Sequence, residues 1–153
     1  MKKKLLIIAP IVLVLAVVFV VLSFNNNTAV YTNIHMPYGL GEEPVVIKEY
    51  EEYQTYITPI TEKTTIDAKF RKRLSSYDES FFEKKMLVLI CYTEGSSSAK
   101  IAVASTKVEM DTVKVTLHRT LSHPSTDMSM DVGILIELPK DENVSKVEYT
   151  IVK

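Results

Sequence analysis

Hydrophobic residues form one long run near the start of the chain, from Leu5 to Leu22, and Ser23 and Phe24 follow it. A helix rises about 1.5 Å per residue, so about 20 residues span the hydrocarbon core of a bilayer. Backbone groups inside lipid must bond to one another, which favours a helix. The pattern therefore predicts a transmembrane anchor over residues 5–24.

Basic residues flank this run on one side only. Lys2, Lys3 and Lys4 precede it, and the next basic residue is Lys48. Because positive charge beside a membrane span stays in the cytoplasm, residues 1–4 are predicted to be cytoplasmic. The remainder is then extracytoplasmic, in a single-pass protein of the cell membrane. A cleaved signal peptide is the alternative, although its apolar core is usually shorter, and both interpretations export the domain.

Beyond the anchor, residues 25–44 contain several prolines and glycines and are predicted to be a linker or arm. One extracytoplasmic domain is predicted over residues 45–153, and it begins with a short strand at 45–47. Apolar side chains then recur at helical spacing, which predicts a helix over about 48–57 that Pro59 ends. The apolar stripe consists of Ile47, Tyr50, Tyr53 and Ile57.

Two further short helices are predicted before the first long strand. The basic run at 69–73 is interpreted as a solvated helical face, and the alternative is a patch that binds anionic lipid headgroups or teichoic acid. Residues 78–83 begin with two acids, which suit the positive end of a helix dipole. The aromatic pair Phe81 and Phe82 is expected to pack on the core.

From Met86 onward the pattern is that of strands. Residues 86–92 are continuously apolar, which is typical of a strand buried on both faces. Arg119 interrupts a later apolar row, so it is expected at an edge or near the end of the sheet. The predicted fold class is α+β, with one mainly antiparallel sheet of about five strands in a meander and two or three short helices. The later strands are predicted at about 99–108, 113–121, 131–138 and 147–151.

Several motifs in the second half of the chain carry a family resemblance. They are Tyr77-Asp78-Glu79-Ser80-Phe81-Phe82, Met86-Leu87-Val88-Leu89-Ile90, Gly95-Ser96-Ser97, Thr126-Asp127-Met128 and Leu138-Pro139-Lys140. Together they resemble the PrcB-like family of small exported bacterial domains, over residues 77–153. That family is named for a subunit of a surface protease complex. The resemblance implies a strand meander and association with another exported protein, and it implies no catalytic residue.

Composition narrows the classes of function. The part beyond residue 24 keeps 15 of the 18 basic residues and all 19 acids, a formal charge of −4. A broad basic surface is therefore absent from the sequence, and nucleic acid is not an expected partner. The single cysteine, Cys91, excludes an internal disulfide. It lies in an apolar run and is expected to be a small buried side chain.

The sequence offers few groups for chemistry. His118, His123 and Asp127 are of metal-binding types, but a zinc site needs three or four convergent ligands, and spacing alone does not bring them together. Ser96–Ser98 lacks the G-x-S-x-G nucleophile motif, and a turn between strands explains it. The sequence therefore assigns no catalytic, cofactor-binding or metal-binding residue, and it predicts no cofactor.

Three functions remain open from the sequence. The first is a non-enzymatic, membrane-anchored domain that presents a sheet face or edge to another exported protein, as an accessory subunit of an exported complex. The second is a binding module for a cell-wall or small-molecule ligand, in which the tyrosines and Ser96–Ser98 form the site. The third, least favoured, is a metal-dependent hydrolase that uses His118, His123 and Asp127.

Overall fold

The computed structural model of the protein describes residues 29–32, 43–63, 68–121 and 129–153. The proposed anchor, most of the proposed arm and the segment 122–128 lie outside the described residues. Within the described ranges, no helix combines the length and the apolar character needed to cross a membrane.

The described residues form seven strands and three helices. The strands are β1 (Ala29–Thr32), β2 (Val45–Ile47), β3 (Lys85–Glu94), β4 (Ala99–Glu109), β5 (Thr112–Leu121), β6 (Met130–Pro139) and β7 (Lys146–Val152). The helices are α1 (Tyr50–Lys63), α2 (Ala68–Leu74) and α3 (Glu79–Phe82). The α+β class predicted from the sequence is confirmed.

The strands divide between two sheets. One has the order β1–β6–β3–β2 with every pair antiparallel, and the other has the order β4–β5–β7. In the second sheet β4 and β5 are antiparallel, whereas β5 and β7 are parallel. The prediction of a single sheet in a meander is therefore wrong. Residues 95–98 connect two different sheets rather than the strands of a hairpin.

The apolar run of β3 explains why one sheet does not suffice. Leu87, Leu89 and Cys91 are buried in a cluster with the helices, as the alternation of a strand requires. Met86 and Val88 point to the opposite side and are buried among residues of β4, β5 and β6. Helices on one face would leave the other face in water, so the three-stranded sheet covers it. The molecule thus has three layers, and the prediction of a strand buried on both faces is confirmed.

Helix α1 carries the predicted stripe. Tyr53 and Ile57 are buried against the four-stranded sheet, and Tyr50 is partly buried beside them. Ile47, the first residue of the predicted stripe, is buried as well but lies at the end of β2. The prediction that Pro59 ends this helix is wrong, because α1 continues to Lys63 with the proline inside it. A proline cannot donate to the carbonyl four residues earlier. That carbonyl belongs to the exposed Thr55, so water can satisfy it.

The two shorter helices agree with the sequence. The basic run lies in α2, where Arg71 and Lys72 are exposed, but Arg73 is half-buried and pairs with Glu137. Helix α3 begins after Asp78, whose carboxylate accepts a hydrogen bond of 3.0 Å from the amide of Phe81. This is the usual N-cap arrangement. Phe82 is buried, as expected, and Phe81 is half-buried.

Strand β1 lies within the segment interpreted as a linker or arm. It pairs with the middle of β6, from Ala29 beside Ile136 to Thr32 beside Gly133. The chain between the proposed anchor and β2 therefore contributes an edge strand to the four-stranded sheet.

Candidate functional site

Among the residues that the structure describes in the helix layer, one carboxylate is buried. Glu137 of β6 accepts hydrogen bonds from Arg73, from Lys85 at 2.9 Å and from the hydroxyl of Tyr77 at 3.1 Å. Burial, followed by the nearby charge of Glu137, raises the pKa of Tyr77 to about 12. The carboxylate joins α2 to β3 and β6, and its partners occupy both of its oxygens. We assign it a structural role.

The tyrosines proposed for a ligand site belong to the same layer. Tyr53 is buried and donates a hydrogen bond of 2.8 Å to the carbonyl of Leu74. Its ring lies edge-on to that of Tyr77, with 5.7 Å between the centroids. Burial is the main reason that the pKa of Tyr53 is raised. Tyr53 and Tyr77 therefore hold the helices on the sheet and do not form an exposed binding stripe.

The serine turn between β3 and β4 is also engaged in structure. Glu94 is buried and accepts both a 3.1 Å hydrogen bond from the amide of Ser96 and a two-point ion pair from Arg119. The hydroxyls of Ser96 and Ser98 lie 3.0 Å apart. Arg119 therefore links the end of β5 to the end of β3, across the two sheets. The expectation that Arg119 lies near the end of its sheet is confirmed.

The ion pair between Glu94 and Arg119 changes the pKa of the Glu94 carboxyl. The hydrogen bonds from Arg119 lower the pKa of the Glu94 carboxyl below its usual range, against the opposing effect of burial. Two parallel N–H donors on one carboxylate make a strong, oriented contact. Because Ser96 is buried beside this pair, the turn offers no exposed serine hydroxyl at that position.

The three residues considered for a metal site are not brought together by the described part of the chain. His118 is exposed on β5, whereas His123 and Asp127 lie outside the described residues. Among the residues that the structure describes, no group of three or more histidine, cysteine or carboxylate side chains could hold a metal ion. The metal hypothesis therefore remains untested.

His118 nevertheless lies in the most distinctive surface of the described chain. Ala102, His118 and Val152 lie side by side across β4, β5 and β7. The neighbouring row consists of Ser105, Thr116 and Thr150. In-register neighbours point to the same side of a sheet, and this side faces away from the four-stranded sheet. We call these six residues the open face.

The open face is uncharged at its centre and flanked by charge at both ends. Lys100 lies at one end, beside Thr120. At the other end Lys107 and Lys114 lie opposite each other, and Glu109 bridges them at 2.6 and 2.7 Å. Hydrogen bonds from these lysines lower the pKa of Glu109 to about 2. Depletion of charge at the centre, with charged residues around it, is one feature of protein–protein interfaces.

Exposure separates the open face from every other broad sheet surface in the described residues. Five of its six residues are exposed, and Thr116 at the centre is half-buried. The corresponding outer side of the four-stranded sheet is buried under α1, α2 and α3. Part of the open face was visible in sequence, since Thr116 and His118 alternate with apolar residues. The open-face residues of β4 and β7 could not be identified from the sequence, because their positions depend on strand pairing.

The register of β4 changes in the middle of the open face. Ala102 pairs with His118 and Val103 with Leu117, but Ser105 pairs with Thr116, so Ala104 is an extra residue. Such a bulge reverses which residues point outward beyond it. No alternation in the sequence alone could have placed Ala102 and Ser105 on the same side.

Comparison with known proteins yields no relative: no protein-family model, no curated protein and no solved structure matches this chain.

Proposed function

We propose that the protein is a membrane-anchored, extracytoplasmic, non-enzymatic domain that binds another exported protein through the open face. The observation that carries the proposal is the contrast between an uncharged, small-side-chain centre and the lysines that flank it. The run at 5–24 supports the membrane anchor, and Lys2–Lys4 support the orientation. The resemblance of residues 77–153 to the PrcB-like family supports an accessory subunit of an exported complex, with a protease complex as the expected class.

The partner surface follows from the chemistry of the face. Alanine, serine and threonine side chains at Ala102, Ser105 and Thr116 are short, so the complementary surface must be flat and must approach closely. Lys100 favours an acidic residue at its end of the partner surface, because opposite charges steer association and fix the register. At the other end Glu109 pairs with Lys107 and Lys114, and Glu148 lies beside Lys114. The proposed partner is therefore a folded exported protein with a flat patch and an acidic residue opposite Lys100.

The experiment uses the full chain in its native membrane, with a photo-reactive amino acid at Ala102 or Thr150. The control carries the same group at Gln54, an exposed position of α1 on the opposite side of the molecule. We expect one protein to be crosslinked from both open-face positions and not from Gln54. Ala102→Arg should abolish this crosslink from Thr150, whereas Gln54→Arg should not. Equal labelling from all three positions, or none, would overturn the proposal.

A further inference from the structure

Edges of sheets are open to pairing with another chain, and folded proteins usually blunt them with short strands, prolines, charges or bulges. The two sheets of this protein have four edge strands. Three of them are blunted. β1 has four residues, β2 has three residues and follows Pro44, and β4 carries the bulge at Ala104.

The fourth edge, β7, is neither short nor bulged and contains no proline, and its two charged residues are Lys146 and Glu148. It has seven residues, contains neither proline nor glycine, and pairs with β5 in unbroken register from Lys146 to Val152. Among the described strands nothing pairs with its outer edge. Its last two residues, Ile151 and Val152, are 37% and 38% exposed and are among the few large apolar side chains left in water. A long, regular edge with exposed apolar residues is a place where another strand can add.

The sequence of β7 is complementary to itself in an antiparallel pairing. We propose that β7 pairs antiparallel with β7 of a second copy, with Tyr149 on the two-fold axis. In this register Lys146 faces Val152 of the other copy, Val147 faces Ile151, and Glu148 faces Thr150. All seven residues pair, both exposed apolar residues are covered, and no like charges lie opposite each other.

Neighbouring registers are worse for physical reasons. A shift of one residue would place inward-facing side chains beside outward-facing ones. A shift that brings the axis to Glu148 would set the two Glu148 carboxylates opposite each other, which is destabilising. A shift that brings the axis to Thr150 would pair only the stretch from Glu148 to Val152. The self-complementary register is therefore the one centred on Tyr149.

The pairing would join two three-stranded sheets into one of six strands. Strands lie about 4.8 Å apart, so one open face is only about 14 Å wide, narrow for a stable interface. Two copies would present a continuous face twice as wide. The inference goes beyond the proposed function, because it concerns the edge of the sheet and a second copy of this chain. A monomeric chain would overturn the pairing and leave the open-face proposal standing.

Charge at one exposed position tests the pairing. In the full chain in detergent micelles, Val152→Glu places a carboxylate opposite Lys146 twice per dimer, and Val152→Lys places two lysines together twice. We expect the first to lower and the second to raise the dissociation constant of the dimer, by about two- to thirty-fold each. Lys146→Glu should rescue Val152→Lys. Analytical ultracentrifugation gives the constants, and Thr120→Glu and Thr120→Lys, away from the edge, are the matched controls.

Disulfide formation in native membranes tests the register. Directly opposed residues have Cβ atoms about 5 Å apart and diagonal ones about 7–8 Å, and a disulfide requires about 4 Å. Differently tagged chains that carry Glu148→Cys and Thr150→Cys should therefore form the mixed disulfide faster than either forms its own. The native thiol of Cys91 is buried and its pKa is raised to about 11, mainly by burial, so it should not interfere. A wild-type chain that stays monomeric, cysteine variants that form no mixed disulfide, or faster self-linking of Glu148→Cys would each overturn the proposal.

Discussion

The outer sides of the two sheets carry different kinds of side chains. On the helix side, large aromatic residues such as Tyr53, Tyr77 and Phe82 are buried, with ring centroids of neighbours 4.8 to 6.3 Å apart. On the open face four of the six side chains are alanine, serine or threonine, and five of the six are exposed. The same chain therefore covers the outer side of one sheet with helices and leaves the outer side of the other sheet to solvent. The difference predicts that truncating a side chain costs more stability in the helix layer than on the open face.

Truncating one residue on each side gives the largest contrast. Phe82 is 2% exposed, so Phe82→Ala should lower the free energy of unfolding by about 3–5 kcal/mol, through lost burial and a cavity. Thr150→Ala on the open face should change it by less than about 0.5 kcal/mol. Urea unfolding of the full chain in micelles, followed by tyrosine fluorescence, measures both. The chain has eight tyrosines and no tryptophan. Similar losses for the two variants would contradict the division of roles.

Glu94 and Glu137, the two buried carboxylates of the described residues, sharpen the comparison. Arg119, the partner of Glu94, is 19% exposed, whereas Arg73 and Lys85, the partners of Glu137, are 35% and 47% exposed. A cation that loses its carboxylate is costly in proportion to how poorly water can reach it. Glu94→Gln should therefore lower the free energy of unfolding by about 2–3 kcal/mol, and Glu137→Gln by about 1–2 kcal/mol.

The same denaturation assay measures these two variants. Glu83→Gln, which removes an exposed carboxylate beyond α3, is the control and should have no measurable effect. The reverse order, with Glu137→Gln more harmful than Glu94→Gln, would mean that water reaches the Arg119 side chain more easily than its exposure indicates.

Acid should erase the contribution of Glu94. Hydrogen bonds from Arg119 lower the folded-state pKa of this carboxyl below its unfolded value. A lowered pKa contributes stability that is complete above the unfolded value, about 4.3, and is lost as pH falls through the folded value. The difference in unfolding free energy between wild type and Glu94→Gln should thus be constant near pH 7 and shrink below about pH 4.5. A difference that grows in acid would show that another group dominates.

Local patterns in the sequence predicted the parts of the fold that depend on neighbours along the chain. The helical spacing of Tyr50, Tyr53 and Ile57 identified the buried face of α1. The acidic start at Asp78 identified the N-terminal end of α3, and the apolar run from Met86 identified a strand covered on both sides. Each of these features is set by residues within a few positions of one another, so periodicity and capping rules are sufficient.

Features that depend on distant pairing were beyond the sequence. The second sheet exists because β3 needs cover on both faces, but nothing in the pattern says that β4 leaves the first sheet or that β7 runs parallel to β5. Glu94 and Arg119 meet across 25 positions. The open face combines three strands and a bulge at Ala104, so only its β5 row, with Thr116 and His118, could be read from alternation.

The smallest expected effect concerns the tip of the hairpin between β4 and β5. Met110 is 93% exposed and, with φ of 56°, is the only residue other than glycine that has a positive φ in the described part of the chain. That conformation crowds the Cβ atom of any L-residue and costs about 1–2 kcal/mol, and glycine removes this cost while adding flexibility to the unfolded chain. Met110→Gly should therefore raise the free energy of unfolding by about 0.5 kcal/mol. Met110→Ala, which keeps the Cβ atom, is the matched control and should give no gain. An equal gain from both variants would assign the effect to the removal of the exposed apolar side chain. The backbone at the tip would then carry no strain that glycine relieves.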